Sequence, residues 1–419
     1  MSEHPPEIRE SVVPQPPERK FRGRIRGLDG PRGIACMAIL AVHVVGHYSP
    51  DTAASGKLQL LGQALIFFFA LSGFLLFLPI VRDLFLAKTS QPDIRAYAIH
   101  RALRIFPAYL LIFLITNYVL QASFVDNAQK TLTVGSDSGT GMITDVWSLL
   151  ANLTLVQTYF PSLIQTGINP AWSLSLEIAF YVSLPFFGAL MFALHRRRGW
   201  SPFASAMVAP VALIVLGSVG KVFASWLSNR DGITDVIEQN FGPNWAAVVL
   251  RSFLGGSDAF AFGMIAVVLF VAVGTGNIGP AAARRIRLWS IIALFPSLLV
   301  MLVLLIVQSN FQVTATSLAS GLIILIIVLP LAEGKDSKLA DWLDWKPFEY
   351  LGRISLSIYL WHFPLLMVLG RWGLMAGDNW GGLFRNFLLL SAASILCGAV
   401  TYQYVERPAV NYARKFKSR

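Results

Sequence analysis

The residues most able to do chemistry are ionisable groups set inside or beside runs that are otherwise apolar enough to cross a membrane. Arg32 and His43 lie eleven residues apart in a stretch that opens Gly27-Leu28-Asp29-Gly30-Pro31-Arg32-Gly33-Ile34-Ala35 and continues to Gly46 and His47. At about 100° and 1.5 Å per residue, eleven helical steps return to nearly the same face roughly 16 Å further on. That is about half of a ~30 Å hydrocarbon core, so an Arg32 at the membrane edge puts His43 near the midplane. An ionisable group there is costly and is a functional candidate by default. A neutral imidazole is the natural general base for a hydroxyl. Two other readings stay open: an idle histidine bonded to a carbonyl, or a His43/His47 metal pair, which no nearby carboxylate or cysteine completes.

Further along, Arg101 and Arg104 sit where the third apolar run begins, three residues apart on one helical face. They either anchor a helix end or present two guanidinium groups to a phosphate. Ser72-Gly73, in a phenylalanine-rich run, suits close helix packing or a smooth slot for a narrow ligand. Glu177 lies about a turn into the fourth run, where an unpaired carboxylate is costly; it could pair with an arginine, orient a histidine or bind a sugar hydroxyl. Asp258 follows Arg251 by seven residues, again one helical face, and the two could neutralise each other. His362-Phe363-Pro364 adds a second histidine and a proline kink that shapes a cavity wall. Glu406-Arg407-Pro408 reads as a helix terminus with a local ion pair.

The elements that must position these groups are membrane helices. Of 419 residues, 55% are hydrophobic and only 14% charged, which suits an all-α integral membrane protein. Ten runs have the right length, at about 33–49, 59–81, 104–122, 173–194, 203–226, 249–274, 288–308, 314–333, 354–374 and 385–405. They form one bundle, with a long external loop at about 123–172 between the third and fourth. The net charge of +11 is not gathered on one face, as nucleic-acid binding would require. Instead, 27 of the 34 Lys and Arg residues fall in alternate connections and the two ends. The positive-inside rule then puts both termini in the cytoplasm. The apolar segment Ile143–Phe160 would reverse every later loop if it spanned, so it is expected to be interfacial or re-entrant. Residues 1–27, rich in Pro, Glu and Arg, read as a disordered cytoplasmic tail, and 409–419 as a short basic one. Cys36 and Cys397 read as packing residues.

Taken together, the chain from Leu28 to Pro408 resembles acyltransferase family 3, integral membrane acyltransferases that include O-antigen and peptidoglycan O-acetylases. The resemblance rests on motifs in family order: Leu-Asp-Gly-x-Arg-Gly-Ile-Ala followed by His43, Phe-Phe-x-x-Ser-Gly-Phe at 68–74 and Arg-x-x-Arg-Ile-x-Pro at 101–107. Trp-Ser-Leu-x-x-Glu at 172–177, Ser-x-Ser-x-Tyr-Leu-Trp-His-x-Pro at 355–364 and Glu-Arg-Pro at 406–408 complete the set. Pro31 stands where leucine is common and Leu356 where an aromatic is common.

The resemblance implies a ten-span bacterial inner-membrane enzyme, domain 28–408, moving an acyl group, usually acetyl, from cytoplasmic acyl-CoA to a hydroxyl on an envelope glycan or glycolipid. By carry-over His43 is the catalytic base with Arg32 beside it, Glu177 belongs to the active centre, and Arg101 and Arg104 contact the CoA phosphates. The Ser72-Gly73 slot would pass the pantetheine arm. Acetyl-CoA or another acyl-CoA is the expected donor, with no metal, no nucleic acid and membrane lipid as surroundings. No esterase-like domain is expected after the last span, which favours direct transfer. A trehalose mycolate-type glycolipid is one guess for the acceptor and a macrolide another. The rival reading is a lipid or glycan transporter without acyl chemistry, against which stands the absence of a repeated, broken-helix pattern.

Overall fold

The computed structural model describes residues 25–416. Among them ten long helices follow one another: α1 Asp29–Tyr48, α2 Ala64–Phe85, α3 Ile94–Leu114, α4 Trp172–Arg198 and α5 Pro202–Arg230. The second half comprises α6 Asp258–Gly274, α7 Pro280–Ile306, α8 Gln312–Ala332, α9 Ser355–Arg371 and α10 Trp380–Thr401. The protein is an all-α membrane protein. Seven of these helices are long and apolar enough to cross a bilayer, and α9 makes an eighth when joined to the short helix Lys346–Arg353, from which it bends by 73°. The remaining two explain why ten expected runs give seven or eight such helices. α6 is apolar but has only 17 residues, and α1 carries Asp29, Arg32, His43 and His47 within its 20.

Burial sorts the helices as lipid would. α6 is apolar all round and encased by α2, α5 and α8; from Phe260 to Gly274 almost every side chain is buried, the pattern of a central helix. α7 is the opposite: it packs mainly on α8 and exposes Phe295 and Ile306 by more than 70%. Water would not tolerate such a face, whereas hydrocarbon does. Gly73 and Gly263 let α2 and α6 touch backbone to backbone, since a Cβ on either would overlap a carbonyl oxygen of the other helix.

α1 and α9 run side by side in the same direction: Cys36 Sγ lies 3.5 Å from the Ser355 carbonyl, His43 meets His362, and Gly370 makes room for the Tyr48 hydroxyl. The start of α1 is bound to the stretch before α9. The Gly27 and Gly30 N–H groups donate to Asp344 at 2.8 and 3.2 Å, and Gly33 fits against Gly352.

The connection 123–172 contains a two-stranded ribbon, β1 Ser123–Phe124 with β2 Thr140–Gly141, and the helix Val146–Leu153. Eight residues reach only about 12 Å, so Ile143–Phe160 does not cross and the order of the loops stands. Asp145 caps this helix; the Ser148 N–H and hydroxyl hold its carboxyl below the usual range. Trp147 is 76% exposed, as at a membrane interface. Other parts of the loop are deeply buried, among them Ser123, Phe124, Asn127 and residues 164–168 and 170–171. The tail expected at residues 1–27 lies, except for its last three residues, outside the described residues. At the other end the expected tail is partly helical, because α10 continues through Tyr402–Glu406 into the helix Arg407–Ala413.

Candidate active site

A narrow, partly open cleft lies between α1, α2, α4 and α9, and Arg32, Ser72, Glu177, Ser355 and Tyr359 line it with Phe68 and Phe69. Three groups separated by up to 145 residues in sequence therefore meet. Their helices are held by small residues: Gly33, next to Arg32, and Gly73, next to Ser72, both face other backbones, while Arg32 and Ser72 face the cavity.

The polar groups of the cleft differ in how they are satisfied. Glu177 Oε1 accepts from Ser72 Oγ at 2.9 Å and from the Tyr181 hydroxyl at 2.7 Å. Neither donor carries charge, so the carboxylate is oriented without being neutralised. Arg32 lies 5.9 Å from the Phe68 ring centre, and among the described residues it makes no ion pair or hydrogen bond. A cation held without a counter-ion in such a place is primed to take an anion. Tyr359 donates to the Pro170 carbonyl at 2.9 Å and lies 2.8 Å from Ser173 Oγ, closing the end of the cleft towards the 123–172 loop.

His43 does not line this cleft. It lies further along α1 with its ring centre 5.1 Å from His362 and 5.0 Å from Phe363. Among the described residues no hydrogen bond holds either of its ring nitrogens. Its neighbours are engaged: His47 Nε2 lies 2.6 Å from the Ser136 carbonyl, and His362 Nδ1 is 2.5 Å from the Tyr359 carbonyl, while His362 Nε2 is buried without a partner. The His43/His47 metal pair is thus not formed. Among the described residues no group of three His, Cys, Asp or Glu is placed to hold a metal.

Several expectations need correction. Gly73 is no wall of a ligand slot, because the position of its Cβ is filled by the Phe260 carbonyl of α6. Arg101 and Arg104 do not form one phosphate fork. Arg101 turns towards α4, 5.9 Å from the Tyr97 and Tyr181 rings with Nε buried and unpartnered, whereas Arg104 is ion-paired with Glu406 at 2.5 Å. That pair also replaces the expected Glu406–Arg407 contact: Glu406 Oε2 accepts from Ser357, and Arg407 donates to Gln403. Arg251 and Asp258 do not neutralise each other, since the helix Trp245–Arg251 ends at Ser252 and a new turn starts at Phe253. Asp258 instead binds Lys221 at 2.5 Å and the Thr314 hydroxyl.

Sequence reasoning missed Tyr181 and Lys221. Both left a signal: Tyr181 stands at i+4 from Glu177, the spacing of facing side chains, and Lys221 interrupts an apolar run, where a charge needs a partner.

The fold and the cleft define a class, a polytopic membrane protein that sets along α1 and α4 an arginine and a histidine without partners among the described residues and an oriented carboxylate. Residues 25–403 match the Acyl_transf_3 model, described as an acyltransferase domain, and the chain belongs to that family. Acyltransferase MdmB of Streptomyces mycarofaciens is 25% identical over 406 residues, covering 92% of both chains. Peptidoglycan O-acetyltransferase OatA of Listeria monocytogenes is 23% identical over 96% of this chain and 59% of its own length. O-acetyltransferase OatA of Staphylococcus aureus is 22% identical over 91% and 56% respectively. The chain thus spans little more than half the length of the two OatA relatives. No solved structure matches it.

Proposed function

We propose that the protein transfers an acyl group, acetyl in the first instance, from acyl-CoA to a hydroxyl of a cell-envelope glycan or glycolipid, with His43 as general base. The observation that carries this reading is the Arg32–His43 axis. Arg32 stands free in the cleft with Ser72 and Glu177, and His43 stands free some eleven residues up the same helix. Roughly 16 Å separate the two positions along α1, enough for an extended arm between an anionic end and a reacting carbonyl. The glycan acceptor follows the relatives named as peptidoglycan and O-acetyltransferases.

In this mechanism Arg32 and Arg101 receive the anionic part of the donor from the end of the bundle that carries the basic connections, taken as cytoplasmic with both termini. Arg104, already paired with Glu406, contributes less. Glu177 is fixed by Ser72 and Tyr181 and positions a polar group of the donor or of the acceptor. His43 accepts the proton of the acceptor hydroxyl as its oxygen attacks the thioester carbonyl. The carbon–sulfur bond breaks, and the leaving thiolate takes up a proton, so the histidine returns to its neutral form. Holding both substrates in one rigid bundle supplies proximity, and the dry surroundings strengthen each polar contact.

The test is transfer of labelled acetyl from acetyl-CoA by purified protein in lipid discs, with donor binding measured separately. His43→Ala should keep donor affinity and lose transfer, while Arg32→Gln should weaken donor binding. Near-normal transfer by His43→Ala would remove the base, and no acetyl-CoA binding by the parent protein would remove the reading altogether. Mass spectrometry of envelope glycans and glycolipids from a deletion strain then identifies the acceptor by its lost acyl increment.

A further inference from the structure

Adjoining the cleft at Phe69 lies a second, narrow and partly open cavity. Phe69 lines both spaces and so stands between them, backed on the side of the second by Trp172, with ring centres 6.4 Å apart. The cavity belongs to the same end of the bundle as the 123–172 connection: Asn127 donates to the Phe241 carbonyl, and Ile164 packs with Ala247 and Val248.

Its polar lining is Lys221, Arg251, Asn240, Asn310 and Gln312. Lys221 is already neutralised by Asp258. Arg251 is not. Its guanidinium lies 3.8 Å from the Phe241 ring centre and 4.4 Å from that of Trp172; its Nε donates to the Asn240 carbonyl at 2.8 Å and its Nη2 to Asn240 Oδ1 at 3.3 Å, so the donors left over are those of Nη1 and the other Nη2 hydrogen. Among the described residues no carboxylate pairs with it. These contacts fix the plane of the guanidinium, and an oriented fork without a counter-ion fits a planar or tetrahedral oxyanion. A second unmade bond lies nearby, for Gln312 Oε1 is buried with no donor. Such a group needs a hydroxyl or amide proton from elsewhere. One missing anion and one missing donor at the same cavity describe a single ligand type.

We propose that this cavity binds the acidic portion of a polyhydroxylated acceptor, Arg251 taking a carboxylate or phosphate and Gln312 a hydroxyl. The assignment of the ligand as acceptor rests on the acyl-transfer reading; the binding itself does not. Phe69, backed by Trp172, then separates an acceptor compartment from the donor cleft, with transfer restricted to the hydroxyl that reaches past it.

Calorimetric titration of the purified full-length protein with glucose, glucuronate, glucose 6-phosphate and inorganic phosphate tests this. Glucuronate or glucose 6-phosphate should bind at least tenfold more tightly than glucose and than inorganic phosphate, and whichever leads identifies the acidic group. Arg251→Gln should erase that preference, Gln312→Leu should weaken every sugar several-fold, and acetyl-CoA affinity should stay unchanged in both. Equal binding of glucose and the acidic sugars by the parent protein, or a preference that survives Arg251→Gln, overturns the proposal. The selectivity series on the parent protein decides it even if Arg251→Gln fails to fold. Sugar selectivity without acetyl-CoA binding would leave this site standing and remove the acyl-transfer reading.

Discussion

Two of the places where this bundle carries ionised side chains away from water are built in opposite ways. At Lys221 and Asp258 the opposite charges meet: the ammonium binds the carboxylate and the Gly255 carbonyl, and Thr314 donates to the other carboxylate oxygen. Gly217 and Gly220 give α5 the room to bring this about, because a Cβ on either would overlap Asp258 or the Leu254 carbonyl. Around Arg32 and Glu177 the same kinds of group face one cleft and stay apart. The first arrangement joins helices. The second keeps charge available, which stability alone would not select.

Function and stability should therefore separate cleanly between the two regions. The largest effect is expected at His43: His43→Ala should lower acyl transfer by about 10²- to 10⁴-fold, the usual worth of a general base, while its melting temperature in detergent stays close to the parent. A large loss of stability instead would make His43 a packing residue and erase the contrast. Next comes Lys221→Met, which leaves Asp258 buried without its cation and should cost about 3–5 kcal/mol in stability. The double change Lys221→Met with Asp258→Leu should recover most of that, as seen by thermal unfolding in lipid discs. If the double variant stays as unstable as the single one, the pair is not the source of the loss.

Smaller effects sharpen the picture at Glu177. Ser72→Ala and Tyr181→Phe each remove one donor to Oε1, and each should reduce transfer by roughly tenfold, the worth of a hydrogen bond to a charged group. Combined, their effects should not add, because both act through one oxygen. The smallest concerns Asp378, which accepts from the Asp51 and Thr52 N–H groups and the Thr52 hydroxyl and so clamps the helix Pro50–Gly56 to the loop before α10. The Thr52 hydroxyl foremost holds its carboxyl below the ordinary range. Its stabilisation is thus present above the unfolded pKa and is lost as pH falls through the lower folded value. The difference in melting temperature between parent and Asp378→Asn should shrink as pH drops below about 4.

Much of this plan was legible in the sequence. Nine of the ten apolar runs are each carried by one long helix, because hydrophobic length is a local property; the run 249–274 is broken into the end of Trp245–Arg251, the turn Phe253–Gly256 and α6. The gathering of Arg32, Ser72 and Glu177 followed from motif order, not from any local rule. What could not be read were the partners of the charges. Seven residues from Arg251 to Asp258 look like one helical face, yet the chain breaks between them, and Asp258 finds a lysine 37 residues back. Arg101 and Arg104 share a helix face on paper, but the Arg104 fork is drawn away by Glu406 from the far end of the chain. Gly73 reads equally well as slot or contact until the opposing helix is known.

The bond between Cys36 and Ser355 spans 319 residues, and it typifies how α1 is housed. The helix that carries Arg32 and His43 is made first, yet its cradle in Lys346–Arg353, α9 and α10 is made last. At about 5–20 residues per second on the ribosome, the interval is roughly 16–64 s. Through that time α1 waits with its arginine and histidines unhoused, while the α2–α6–α8 core can already form. The cleft that gathers Arg32, Ser72, Glu177 and Tyr359 is thus completed only after α9 has been made.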